Sequence, residues 1–165
     1  MTAVMFCGKV AVLTVARLTY RDPFASYQAI MPGQSVDAIK DYPCPLHVET
    51  VNRVEKGWCQ FDSDKGVFDQ VSMVEHKHII TWILFHIRSE DLRLGDLILC
   101  WGKPIDIVRN FHREILSYDM YWSNQAHARV VDHMSSRQLD FSLPVTDVSI
   151  ERQWGTVEAE NILCA

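Results

Sequence analysis

No stretch of this chain approaches the roughly 20 consecutive apolar residues that a membrane-spanning helix needs. The longest apolar segment, near the start, is broken by Lys9 and Arg17. It has no basic stretch ahead of its apolar run at 10–16, which makes it a poor export signal. Residues 1–27 read better as an N-terminal arm or buried strand. Basic clusters are absent too, and the formal net charge is −5. A nucleic-acid partner is therefore not expected, because phosphate binding needs a basic face. No Cys-x-x-Cys pair occurs, which argues against a zinc ribbon or a thioredoxin-type site. The seven glycines are scattered. None stands in phosphate-loop or dinucleotide-binding order, and no Gly-x-Ser-x-Gly elbow appears. No cofactor is implied.

What remains is a globular composition: 165 residues, 48% hydrophobic and 22% charged. That is one ordinary domain, or two small units sharing a core. The five cysteines are an odd count. Cys44 and Cys59 each sit in a turn-like setting, "YPCP" and "GWCQ". Two readings stand side by side. A disulfide would close a loop worth about 3 kcal/mol in the chain-entropy model and imply an oxidising, extracytoplasmic compartment. Two buried thiols would imply the cytoplasm. Cys7, Cys100 and Cys164 are expected to be free.

Punctuation organises the chain. Asp22-Pro23 ends the N-terminal segment. Pro32-Gly33 makes a turn, Ser35 is a candidate helix N-cap with Asp37 in the first turn, and Tyr42-Pro43 stops the helix. A second helix is expected from Pro45, with Leu46, Val48, Val51 and Val54 on one face and Gly57 as its cap. Residues 67–74 and 79–87 alternate or run apolar and predict an antiparallel hairpin across "EHKH". Gly95-Asp96 then opens a further helix, with Asp96 as N-cap, closed by Gly102 and Pro104. Strands are expected at 114–122, 126–132 and 139–145, the last continuing or restarting at "TDVSI". Gly33 and Gly95 thus begin two similar phrases 62 residues apart, a duplication signal.

These phrases resemble the small repeat of the BamE/SmpA lipoproteins and the tandem repeat of the β-lactamase-inhibitor protein. The likeness rests on Gly33, Ser35, Val36 and Pro43, and on Gly95, Asp96, Trp101, Gly102 and Pro104. It covers residues 28–150. It implies an α+β fold of two related units, 28–90 and 91–151, each with short helices packed on an antiparallel sheet, joined as one continuous sheet. Residues 152–165 would be a tail. The resemblance also implies a binding or scaffold protein, not an enzyme.

The functional expectation follows. The chain is read as a non-catalytic module that binds another protein, or as an accessory subunit of a larger assembly. The large aromatics around the proposed sheet are Trp82, Trp101, Tyr118, Tyr121 and Trp122, and core packing is the plain reading for them. Alternation places Tyr121 opposite Tyr118 and Trp122, and Trp82 opposite Ile79, Thr81, Ile83 and Phe85. Trp82 and Tyr121 are therefore the partner-binding candidates. His76, His78 and His86 could offer imidazoles to a metal, but a polar turn accounts for the first two. The runner-up is a cysteine hydrolase. "LRLGDLILC" resembles the Gly-Asp-Leu segment of NlpC/P60 peptidases, which would make Cys44 the nucleophile and His112 or His127 its base.

Overall fold

Alternating apolar and β-branched residues dominate the architecture. The computed structural model describes residues 22–51, 54–64, 66–88, 91–112, 115–123, 125–132 and 139–152, without the side chains of 51, 54 and 112. The expected N-terminal arm, apart from 22–27, and the tail beyond 152 lie outside them.

Eight strands form one antiparallel sheet: β1 His47–Val51, β2 Val54–Asp62, β3 Phe68–His76, β4 Ile79–Ile87, β5 Asp106–His112, β6 Ile115–Tyr121, β7 Ala126–Asp132 and β8 Val145–Glu151. Their spatial order is β1-β2-β3-β4-β8-β7-β6-β5. Two four-stranded meanders therefore meet at their last strands, and β1 and β5 are the outermost of the described strands. One α-helix, α1 (Leu94–Trp101), and two six-residue 3-10 helices, Ala25–Ile30 and Val36–Asp41, complete the described elements.

One sheet face is the core. Across it, Cys59, Met73, Ile83, Ile150 and Ala126 stand in one cross-strand row. Phe61, Val71, Phe85, Val148, Ala128 and Met120 stand in the next. All are buried. The helices close this face with aromatic rings. Phe24 stacks on Phe68 and on Trp101, with centroids 5.3 and 5.1 Å apart. Tyr27 meets Phe68 and Phe85 edge-on. Burying such side chains contributes roughly 1.5–3 kcal/mol each.

Several local expectations hold. Ser35 caps Val36–Asp41 by accepting from the Asp37 N–H. Gly102, at φ 77°, ends α1, and Pro104 follows. The β3–β4 hairpin turns on Lys77 and His78, both at positive φ. That is the backbone a tight two-residue hairpin requires. The Cys44–Cys59 disulfide is present, with Cα atoms 5.5 Å apart.

The structure also corrects the reading. This is not a helix-plus-sheet repeat but one large antiparallel sheet, with one short α-helix among the described residues. The first phrase winds as a 3-10 helix of six residues, the second as an α-helix of eight. The helix expected from Pro45 to Gly57 is the β1–β2 hairpin instead. Its three valines prefer the pleated surface to a helix, and Val48 pairs with Gly57 across it. A Cβ at Gly57 would stand 2.7 Å from the Glu75 side chain, which would have to shift. The helix cap also moves. Asp96 sits in the first turn and accepts the Arg93 N–H at 2.8 Å, leaving Arg93 as N-cap. Residues 139–144 turn rather than extend. Asp140 Oδ1 accepts the Ser142 N–H at 2.9 Å, and β8 begins only at Val145. Cys100, expected free, is disulfide-bonded. Cys7 and Cys164 lie outside the described residues.

Candidate functional site: the sheet face opposite the core

Helix contacts run to the core face, and none places a described helix on the opposite face. Pairing register builds that second face row by row, since directly opposed residues share a face. The first row is Trp58, Val74, Trp82 and Glu151. The second is Leu84, Ser149, His127 and Tyr121. The third is His86, Asp147, Arg129, Asp119 and Val108.

Both partner-binding candidates of the sequence lie here. Tyr121 is 40% exposed and stacks on the His127 ring at 4.7 Å. Trp82 is half-buried between Val74 and Glu151. Strict alternation would have put Thr81 in the core, but a bulge between Val74 and Glu75 leaves Thr81 extra. Ile80 takes the buried place instead, and Thr81 Oγ1 donates to the Val74 carbonyl. The bulge leaves Trp82 on the open face. Trp58, which the sequence reading did not single out, joins the row and is 43% exposed. Its signal was the alternation of "EKGWCQFD", hidden by assigning that segment to a helix.

Polar groups lock the rows together. His86 Nδ1 lies 2.6 Å from Asp147 Oδ1, and Thr146 Oγ1 donates to Asp147 Oδ2 at 2.9 Å. Asp119 is the hub. It accepts from Arg129 Nε at 3.0 Å and from Asn110 Nδ2 at 2.6 Å, and His127 Nε2 lies 3.3 Å away. The bond to Asp119 raises the Arg129 guanidinium above its usual pKa, against the opposing effect of burial. Two hollows open beside the rows. One of about 470 Å³ is lined by Ile105, Tyr121, Gln125, His127, Ser149 and Glu151. Another of about 530 Å³ is lined by Asp62, Asp69, Gln70, His86 and Thr146.

Ser149 Oγ lies 3.2 Å from His127 Nδ1, which with Asp119 makes a Ser–His–Asp series. It does not have the makings of a nucleophile site. Ser149 sits within β8, a strand paired on both sides, so the backbone amides around it serve the ladder. An acyl-transfer site needs free donors aimed at the developing oxyanion. Asp119 is also already neutralised by Arg129. The series is a cross-strand hydrogen-bond network.

The cysteine-hydrolase alternative needs a free thiol at Cys44. Cys44 is bonded to Cys59 and buried, so it has no thiolate to offer. His127 is engaged on the open face, whereas Cys59 packs on the core face with Met73. His112 ends β5, and its side chain lies outside the described atoms. The histidines weighed for a metal also go separate ways. His76 Nδ1 sits 3.2 Å from the Glu55 carbonyl, His78 lies in the hairpin turn, and His86 pairs with Asp147. Among the described residues no group of three or more His, Cys, Asp or Glu side chains could hold a metal. Nor is any described helix long and apolar enough to cross a membrane.

Comparison with protein families, with curated proteins and with solved structures finds no match to this chain.

Proposed function

We propose that the protein is a non-catalytic binding module of an oxidising compartment, and that it docks a basic protein partner on the sheet face opposite the core. Trp82, Trp58 and Tyr121 are the anchors. The observation that carries this reading is their common placement on a face that no described helix packs against. Buried aromatics dominate binding energy because each removes a large area from water at modest entropic cost.

Charge sets the partner's sign. By register, Glu49, Asp62, Asp106, Asp119, Asp147 and Glu151 share this face, against Lys56 and Arg129. An acidic face with aromatic anchors steers a basic surface toward it and suppresses acidic competitors. The same design serves a free-standing binder and an accessory subunit of a larger assembly. The disulfide at Cys44–Cys59 and the bonded Cys100 support the compartment, since reducing cytosol keeps thiols free.

A photo-crosslinking amino acid placed at Trp58 or Tyr121, in protein expressed in its native source, tests the reading. The expected result is one discrete adduct with a basic protein. Adduct formation falls as salt rises and is lost with Trp82→Ala. The same probe at Val48, on the opposite face of β1, should give no adduct. Equal labelling from Val48, or no adduct from either open-face position, would overturn the proposal.

A further inference from the structure

The two edges of the sheet differ in length. Each has a proline two residues ahead, Pro45 or Pro104, and charged side chains, Glu49 in β1 and Asp106 and Arg109 in β5. β1 is only five residues long. β5 is seven, and its register with β6 runs from Asp106 to His112 without a bulge. No described strand pairs with its outer side. It also exposes apolar side chains on both faces. Val108 on the open face is 41% exposed, and Phe111 on the core side 71%. Ile105, one residue ahead of the strand, is 71% exposed. Two copies of such an edge can complete one another.

We propose that β5 is the self-association edge of this protein, pairing antiparallel with β5 of a second copy about a two-fold axis through Val108. Outward-facing backbone groups alternate along a strand, so a two-fold pairing must centre on a residue. The sequence selects which one. Centring on Arg109 would set two guanidinium groups directly opposite each other, which is repulsive. Centring on Ile107 sets Val108 against Asp106 and leaves Phe111 without a counterpart in the strand, and centring on Asn110 sets Val108 against His112. Centring on Val108 opposes Val108 to itself, Asp106 to Asn110 and Ile107 to Arg109. The exposed valines meet and no like charges do. The Ile107 N–H, held in the single copy by Asp106 Oδ1 at 2.8 Å, then passes to the opposing strand. The axis runs perpendicular to the sheet, so the open faces of both copies lie on the same side of a sixteen-stranded sheet. Val108 ends the row that starts at His86, and the two rows become continuous. This inference rests on the edge alone and stands apart from the partner proposed above.

Sedimentation equilibrium of the full chain over a range of concentrations, with cysteine cross-linking, tests it. The wild type should be a dimer. Val108→Lys places like charges across the axis. It should weaken dimerisation roughly tenfold or more with an unchanged circular dichroism spectrum. Val108→Cys should form an interchain disulfide between the introduced thiols on mild oxidation, identified by peptide mapping, while Arg109→Cys should not. A wild type that stays monomeric at high concentration overturns the proposal and leaves the edge to a strand of a different protein. Cross-linking from Arg109→Cys as efficient as from Val108→Cys overturns the register, and a dimer that survives Val108→Lys overturns the edge.

Discussion

Tyr27 shows how one side chain ties the helical cover to the sheet. Its ring packs against Phe68 and Phe85, and its hydroxyl pairs with the Ser63 hydroxyl. Burial pushes its pKa above the usual 10.0, partly opposed by the Ser63 hydrogen bond. Tyr42, stacked beside it, is raised for the same first reason. A raised tyrosine stays protonated in the folded state after the unfolded chain has begun to ionise. Its stabilising contribution is complete below about pH 10 and is lost as pH rises from there through the folded-state pKa. Urea unfolding between pH 9 and 11 should therefore show stability falling with pH, with a shallower slope in Tyr27→Phe. At neutral pH that variant should lose about 1 kcal/mol, for the missing hydrogen bond.

Elements end where backbone conformation forces them to. α1 stops at Gly102, whose φ of 77° a side chain resists, and whose carbonyl accepts the Trp122 Nε1–H at 2.9 Å. A Cβ added there would touch nothing within 4 Å. The cost of Gly102→Ala is therefore conformational, about 1–3 kcal/mol by denaturant unfolding, because φ 77° with ψ −161° is a region that essentially only glycine adopts. The β3–β4 turn poses the opposite case. Lys77 and His78 hold φ of 52° and 63° without being glycine, and Glu75 Oε2 compensates by accepting the His78 N–H at 2.9 Å. His78→Gly keeps that backbone bond and relieves the left-handed strain. It should raise stability by about 0.5–1 kcal/mol, read as a higher thermal midpoint.

Across the whole molecule, the Cys44–Cys59 bond fastens the segment after the 3-10 helix Val36–Asp41 to the inner row of the sheet. The bond spans 15 residues, and both cysteines are buried. Replacing both by alanine should cost about 3 kcal/mol, measured as a lower urea midpoint. A matching loss in wild type under reducing conditions, beyond any contribution from Cys100, would confirm that the covalent link is responsible. The same scale holds the open face together. Trp58, Trp82 and Tyr121 come from three strands, and only the sheet order β2-β3-β4-β8-β7-β6 sets them on one surface. Trp82 and Tyr121 were legible beforehand because alternation along a single strand assigns a face. Trp58 was not, because its valine-rich neighbours were read at helical spacing. β5 was not either, since an edge strand exposed on both faces carries no burial pattern.

The sequence alone determined the local events: the β3–β4 hairpin, the strands near 115–121 and 126–132, the caps at Ser35 and Gly102, and the cysteine pair as one of two readings. Each depends on residues close in the chain, where side-chain period and backbone preference act directly. Tertiary structure decided the rest. It turned two similar phrases into different helices and a supposed helix into β1 and β2, and it set β4 against β8 as the seam of the sheet. Those outcomes depend on pairing between strands some 60 residues apart. There the energy comes from rows of opposed side chains, which no single segment contains.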